Sequence, residues 1–422
     1  MAINMKKLKI GVFGAGRGMA MMNVLAAHPD AELTAVCDKY APALDRVREL
    51  AEKENLDVKL YDNFEDFDRH EMDAVVLANY AHEHAPFAVR LLKSGRHVLS
   101  EVLPSETMAQ AVALIEAAEE SGKAYAYAEN YCYMRGPMEM RRRYENGDIG
   151  EIQYAEGEYV HDCSSIWPRI TYGEKDHWRN RMYSTFYNTH SLGPIIAITG
   201  LRPVRVSGFE TNMQVRRDYA LNRIICAGSG AVEMVTLENG ALVKSVHGGL
   251  KREPSSVNYE IYGSKGMMET DRWNGARVSA YIEGDKLCVG ELTHYEPQPH
   301  ISPGMSEKFK GHGGSDFYAT HFFIEKILNR PDGLKYSIDA YMAADMGICG
   351  ILAYRSVLNG NAPIAVPDLR NKSERDAYRH DNACTNPAVA GDQLLPLPAC
   401  DLIPDDTYDY VRQIWLQGKN AE

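Results

Sequence analysis

The sequence predicts two α/β domains in one chain. Residues 1–130 read as a doubly wound parallel sheet, and residues 131–370 as an α/β domain with a large open, mostly antiparallel sheet. Residues 371–422 read as a tail that packs on that domain or on a neighbouring subunit. Three observations carry this. Short apolar runs alternate with helical stretches through the first part, the pattern of strands joined by crossover helices. A cluster of glycines interrupts the chain directly after the first run. Beyond Tyr131 strand signals dominate, and Asn239-Gly240 between two of them marks a hairpin, because both residues tolerate positive φ.

The elements follow in order. Leu8–Phe13 is a short apolar strand, Met19–Ala27 a helix, Glu32–Cys37 a second strand and Val58–Tyr61 a weak third. Ala74–Ala78 is an unbroken apolar run, which marks a strand buried on both faces. His97–Ser100 and Ala124–Ala128 complete the parallel set, with helices over Pro86–Lys93 and Glu106–Glu120, the latter closed by Ser121-Gly122. A helix over Pro137–Asn146 ends at Gly147. Strands are then expected at Ile152–His161, Val204–Glu210, Ala231–Leu237, Ala241–His247, Val257–Tyr262 and Val278–Glu283. Helices over Asp316–Asn329 and Ser337–Val357 precede an extended piece, Pro363–Pro367, and an amphipathic segment lies near Thr407–Leu416.

Composition narrows the function. The net charge of −12 disfavours a nucleic-acid partner, which needs clustered positive charge to displace counterions. Arg141-Arg142-Arg143 is therefore read as a solvated helix face. No apolar run is long enough to cross a membrane. The N-terminus lacks the pattern of a secretory signal, and the eight cysteines form no CxxC pair. Reduced, mostly buried thiols and a cytoplasmic location are expected. His161, His190, His247 and His312 lack close ligand spacing, so no metal is expected.

The glycine cluster is Gly14-Ala15-Gly16-Arg17-Gly18. Such a turn lets the backbone approach a pyrophosphate, whose charge then meets a helix N-terminus. The third glycine comes one place earlier than in strict GxGxxG, with Met19 in its usual slot. Glycine clusters also mark plain turns, so the context decides. The second strand ends in Asp38, 22 residues after Gly16, close to the ~20 expected for the acid that grips a ribose diol. A carboxylate there repels a 2′-phosphate, so NAD is the expected cofactor.

Three further stretches carry a resemblance: Asn79-Tyr80-Ala81-His82-Glu83-His84, Gly95 to Glu101, and Pro363 to Pro367. With the glycine turn they resemble the Gfo/Idh/MocA oxidoreductases, a Rossmann domain joined to a sheet domain that binds substrate. The departures are informative. Relatives carry Glu-Lys-Pro where this chain has Glu101-Val102-Leu103, and an aspartate where Phe186 stands four residues before His190. Six segments instead resemble the NAD-dependent glycosidase branch typified by α-N-acetylgalactosaminidase. They are Glu101-Val102, Glu129 to Tyr133, Tyr159 to Asp162, Trp178-Arg179, Tyr187 to Pro194 and Gly311 to Gly314.

The resemblance implies a cofactor site of Gly14, Gly16, Arg17, Gly18, Asp38, Asn79, His82, His84, Glu101 and Asn130. It implies catalytic roles for Tyr159, His161, Arg179 and His190, and sugar contacts from Tyr187, Trp178 and His312. Tyr159 is the expected base at carbon 2 of the sugar, with Arg179 as the cation that lowers its pKa. Tyr159 and His161 are two apart on one strand and share a face; an amphipathic strand facing solvent would show the same pattern. His190 occupies the place of the catalytic histidine, and its alternative is a helix cap. His312 is either a turn residue or part of a loop over the site. The whole reads as an enzyme that oxidises a sugar at carbon 3 and eliminates across carbons 1 and 2. A plain sugar or polyol dehydrogenase and an inactive nucleotide sensor are the alternatives. The partners expected are a carbohydrate substrate and further copies of the chain, as a homodimer or homotetramer, with no nucleic acid and no membrane.

Overall fold

The computed structural model describes residues 7–211, 226–284, 290–299, 301–309, 311–398, 400 and 403–419. They fall into two compact units: residues 1–139 with 297–344, and residues 140–296 with 345–422. Periodicity along the chain does not reveal that segment 297–344 returns to the first unit.

The first unit holds six strands: β1 (Leu8–Phe13), β2 (Ala31–Cys37), β3 (Lys59–Tyr61), β4 (Ala74–Leu77), β5 (His97–Ser100) and β6 (Tyr125–Tyr127). All pair in parallel, in the order β3-β2-β1-β4-β5-β6. The order reverses between β1 and β4. Ligands of such sheets bind at that switch point, beyond the carboxyl ends of the strands. Every residue of β4 is buried, as its unbroken apolar run predicts. The helix after the glycine turn begins at Ala15, four residues earlier than the apolar pattern suggested, because Gly14 already has the φ of +101° that turns the chain. Among the helices that escaped the sequence reading are Ala41–Glu54, Phe64–Asp68 and Pro331–Tyr336.

The second unit is built on nine strands: β7 (Ile152–Val160), β8 (Pro203–Glu210), β9 (Gly230–Leu237), β10 (Leu242–Gly248), β11 (Ser256–Gly263), β12 (Gly266–Thr270), β13 (Val278–Glu283), β14 (Gly290–Tyr295) and β15 (Ile364–Ala365). Their order is β14-β13-β12-β11-β7-β10-β9-β8-β15, antiparallel except for β7 with β10. The β9–β10 hairpin turns at Asn239-Gly240, where Gly240 has a φ of +89°. The helix Thr189–Thr199 lies across β7, β10 and β11. β12 and β14 were not anticipated; β14 carries mostly polar, partly exposed residues and shows no apolar alternation.

Arg141 pairs with Glu145 and Arg143 with Asp148, so two members of the basic run are neutralised locally. The C-terminal helix Asp405–Lys419 packs on its own unit: Arg412 donates to the Tyr172 carbonyl and Trp415 meets Tyr172 edge-on. The expectation of reduced thiols is corrected here, because Cys226 and Cys400 form a disulfide across 174 residues. Buried Ile403 and Val411 surround it, with Leu397 and Tyr408. Cys37, Cys132, Cys163, Cys349 and Cys384 are free thiols, and Cys288 lies outside the described residues. No helix among the described residues is long and apolar enough to cross a membrane.

Candidate active site

In the first unit the glycine turn is shaped for close approach. A Cβ on Gly14 would lie 2.3 Å from the Ala78 carbonyl oxygen, and one on Gly18 only 2.6 Å from Val12 Cγ1. Gly18 thus seats the helix on β1 despite its shifted place in the motif. Gly16 has no neighbour within 4 Å of that position, which leaves the backbone open to a ligand. Asp38, at the end of β2, accepts from the amides of Ala15 at 2.7 Å and Tyr40 at 2.8 Å. It therefore holds the turn that a pyrophosphate would approach.

Arg17 is the centre of a charged cluster. Its guanidinium lies 2.6 Å from Glu101 and 2.6 Å from Asp316, and His312 Nδ1 lies 2.8 Å from the same aspartate. Burial pushes both carboxyls up. For Asp316, bonds from His312 and Arg17 outweigh burial and hold it at about 2. For Glu101 burial wins and its pKa stays raised. Asp316 is a cluster member that no motif singled out, since it lies 299 residues from Arg17. His312 has a φ of 45° and a half-exposed ring.

Asn79 donates to Glu83 at 3.0 Å. His82 and His84 are both held near pKa 4, chiefly by burial, so their rings are neutral. His84 is fully enclosed, with Nδ1 3.3 Å from the Leu103 carbonyl, a placement suited to fixing the segment after Glu101. Asn130 is buried in the short helical turn that follows Glu129.

In the second unit six nominated residues come together. Tyr159, next to the end of β7, has its hydroxyl 3.1 Å from Nδ1 of His161. The Tyr159 and His190 rings lie 4.6 Å apart. His190 and Tyr187 stack at 5.4 Å with only 11° between their planes. That pairing needs no helical spacing, because Tyr187 precedes the helix and the turn is closed by the His190 amide on the Tyr187 carbonyl. Arg179 donates to the Tyr187 hydroxyl at 3.1 Å and lies over the Trp178 ring. The sequence reading set Arg179 beside Tyr159; the hydrogen bond seen for its guanidinium is to the Tyr187 hydroxyl.

Behind these rings the helix presses on the sheet. Gly157 faces it, and a Cβ there would lie 1.9 Å from the Ser191 carbonyl oxygen. Tyr259 donates to the His190 carbonyl at 2.6 Å. His247 stands in register with Tyr159 on β10, with Nδ1 3.4 Å from Ser191 Oγ, and burial holds it near pKa 4. Alternation offered a signal for His247, since Val243, Ser245 and His247 share the buried phase of β10. Among the described residues no group of His, Cys, Asp and Glu is placed to hold a metal.

The turn, the acid after β2 and the parallel sheet define a nucleotide-binding oxidoreductase fold. Residues 8–129 match an oxidoreductase family with an NAD-binding Rossmann fold, and residues 133–374 match the C-terminal domain of glycosyl hydrolase 109. The chain is an NAD-dependent, sugar-active enzyme. It belongs to glycosyl hydrolase family 109. A member from Saccharopolyspora erythraea is 26% identical, over 86% of this chain and 83% of its own. One from Phocaeicola vulgatus is 23% identical, over 88% and 86%. The fold is also that of levoglucosan dehydrogenase in complex with NADH and L-sorbose (TM-score 0.69, 16% identity, 86% of this chain and all of that one). An inositol dehydrogenase homologue from Azotobacter vinelandii with NAD+ has a TM-score of 0.67 at 16% identity, over 86% and 98%.

Proposed function

We propose that the enzyme cleaves a glycoside through transient oxidation at carbon 3 of the sugar and elimination across carbons 1 and 2. The observation that carries this is the contact of Tyr159 with both His161 and His190, in a chain with Val102 where related dehydrogenases place lysine. NAD, when bound, supplies a hydride acceptor that is restored within the same turnover. Gly14, Gly16, Arg17 and Gly18 would hold its pyrophosphate and Asp38 its ribose. Asn79, His82, His84, Glu101 and Asn130 would line the remainder.

His190 takes the proton from the carbon-3 hydroxyl as that carbon becomes a ketone. The ketone acidifies the hydrogen on carbon 2, which Tyr159 removes. His161 Nδ1, with its own proton on Nε2, accepts the phenolic proton and so does the work first expected of Arg179. The electron pair from the C2–H bond forms a C1=C2 double bond, and the bond from carbon 1 to the leaving group breaks. Water gives one proton to the departing oxygen and its hydroxide to carbon 1, and Tyr159 returns its proton to carbon 2 and recovers the one held by His161. As the hydride returns to carbon 3, His190 gives its proton back to the carbon-3 oxygen. Arg179, Tyr187 and Trp178 hold the sugar. His312, bonded to Asp316, acts through that carboxylate.

The test is release of nitrophenol from a panel of glycosides with and without NAD. Catalytic dependence on NAD without net NADH is expected; stoichiometric NADH from free sugars would make this a dehydrogenase. Tyr159→Phe should spare carbon-3 oxidation and block elimination, and a variant that cleaves as fast as the parent removes Tyr159 from this role. A homodimer or homotetramer, argued from the open sheet face, is checked by sedimentation. The Cys226–Cys400 bond argues against the cytoplasmic location expected from the sequence, since such bonds persist in oxidising compartments.

A further inference from the structure

Glu233 lies on β9, between β10 and β8, and is wholly buried. Across β10 it stands in register with Ser245, and across β8 with Gly208. The side chain that reaches it is the amide of Asn188, at the junction between Tyr187 and the helix that begins at Thr189. The Asn188 amide is oriented by its Nδ2, which donates to the Met346 carbonyl at 2.9 Å. Gly350 makes room for it, because a Cβ there would lie 2.5 Å from Asn188 Oδ1. Neither carboxyl oxygen of Glu233 has a hydrogen-bond partner, and neither does Asn188 Oδ1. Two carboxyl oxygens and one amide oxygen are thus buried without a partner, and the contact with the Asn188 amide, which by itself favours the charged carboxyl, is outweighed by burial.

An ionised carboxylate cannot resolve this. It would place a charge in the core with only a neutral amide beside it, which costs several kcal/mol unless a cation answers it. The nearby helix Ala340–Leu358 offers Cys349, a thiol that burial above all keeps protonated, so it brings no positive charge. Asp345 lies one turn earlier and is paired with Arg202 and Arg370. His247 on β10 is kept neutral by burial. A single proton on Glu233 gives it a donor for Asn188 Oδ1.

We infer that Glu233 is an un-ionised positioning acid, whose carboxyl proton is donated to Asn188 Oδ1 and fixes the turn that carries Tyr187 and His190. A second set of contacts supports the same turn. Ser245, the register partner of Glu233, lies 2.7 Å from Ser191 Oγ, and that hydroxyl donates to the Asn188 carbonyl. The seam thus grips Asn188 by side chain and backbone, on either side of which sit the stacked rings of Tyr187 and His190. Burial raises the Glu233 carboxyl to about 8, in keeping with this state. Its consequence for catalysis rests on the function proposed above; the protonation itself does not.

The test is infrared difference spectroscopy of the intact enzyme, parent minus Glu233→Gln, at neutral pH in heavy water. The carbonyl stretch of a protonated carboxylic acid is expected in the parent, absent from the variant, and lost as pH rises through about 8. A carboxylate stretch at neutral pH in its place overturns the inference, whatever the enzyme cleaves. The kinetic arm uses the nitrophenyl glycoside that the parent turns over best. Glu233→Gln keeps a donor, so its kcat should stay within about threefold of the parent while an alkaline limb disappears, whereas Glu233→Ala should lose about 100-fold in kcat with KM little changed. Equal alkaline limbs in parent and Glu233→Gln refute the positioning role.

Discussion

Gly157→Ala tests how closely the helix bearing His190 must sit on the sheet. The new Cβ would lie 1.9 Å from the Ser191 carbonyl oxygen and 2.8 Å from its carbon, where ordinary contact begins at 3.4 Å. The two backbones would have to part by about 1.5 Å, because interiors have no slack to absorb the methyl group. Strand β7 cannot yield alone, since β10 and β11 bond it on both sides. The helix must move, and with it His190, whose ring sits 4.6 Å from Tyr159. Overpacking of this kind costs about 1–3 kcal/mol, and a shift near 1 Å in a reacting group costs about 100-fold in rate. The assay is NAD-dependent nitrophenol release with a thermal melt, and NAD affinity of the same variant as the control. Loss of about 100-fold in kcat, a melting point lower by several degrees and unchanged NAD affinity are expected. A variant within twofold of the parent in rate and melting point would refute the reasoning.

Three further outcomes are expected. Asp38→Ala frees the amides of Ala15 and Tyr40 and removes the acid set against a 2′-phosphate; fluorescence titration should show NAD affinity falling about tenfold and the preference over NADP shrinking. The folded pKa of Glu233, about 8, lies above its ordinary value. The stability it contributes relative to Glu233→Gln is therefore greatest below the unfolded pKa and lost as pH rises through about 8. Paired urea melts should show that difference falling by about 1.4 kcal/mol per pH unit over the interval between the two values, roughly 5 kcal/mol in all. Alkylation in denaturant should leave two of the eight cysteines unmodified until a reductant is added, and reduction should lower the melting point, since the bond closes a very long loop.

The parallel domain was legible because a doubly buried strand such as Ala74–Leu77 has no other reading, and because Gly14, Gly18 and Asp38 have chemical reasons for their spacing. Tyr159 with His161 was legible from strand alternation. The Arg17 cluster was not, because Asp316 joins it across 299 residues with no motif of its own. The same limit hid the pairing of Cys226 with Cys400. The bond of Arg179 to the Tyr187 hydroxyl was not legible, since motif order carries no information on which of two tyrosines a guanidinium meets. Glu233 had a signal that went unused. Ala231, Glu233, Val235 and Leu237 are two apart and all face the core, so a carboxyl in phase with apolar residues announces a buried acid.

The Arg17 cluster and the groups behind the Tyr159 and His190 rings handle charge in opposite ways, and the difference bears on where pH control resides. In the first, Arg17 is committed to Glu101 and Asp316, so charges are balanced in contact and Asp316 titrates only in strong acid. In the second, the groups behind the reacting rings are kept neutral by burial: His247 by a pKa near 4 and Glu233 by one near 8. His247 and Glu233 thus put no fixed charge behind the rings, and the Arg179 guanidinium is bonded to Tyr187. In the proposed mechanism proton movement then relies on the contact of Tyr159 with His161 and on His190. The rate profile inherits one buried acid whose ionisation near 8 would loosen the turn beneath them. An alkaline limb that survives Glu233→Gln therefore belongs to the reacting groups themselves, and one that vanishes belongs to the scaffold.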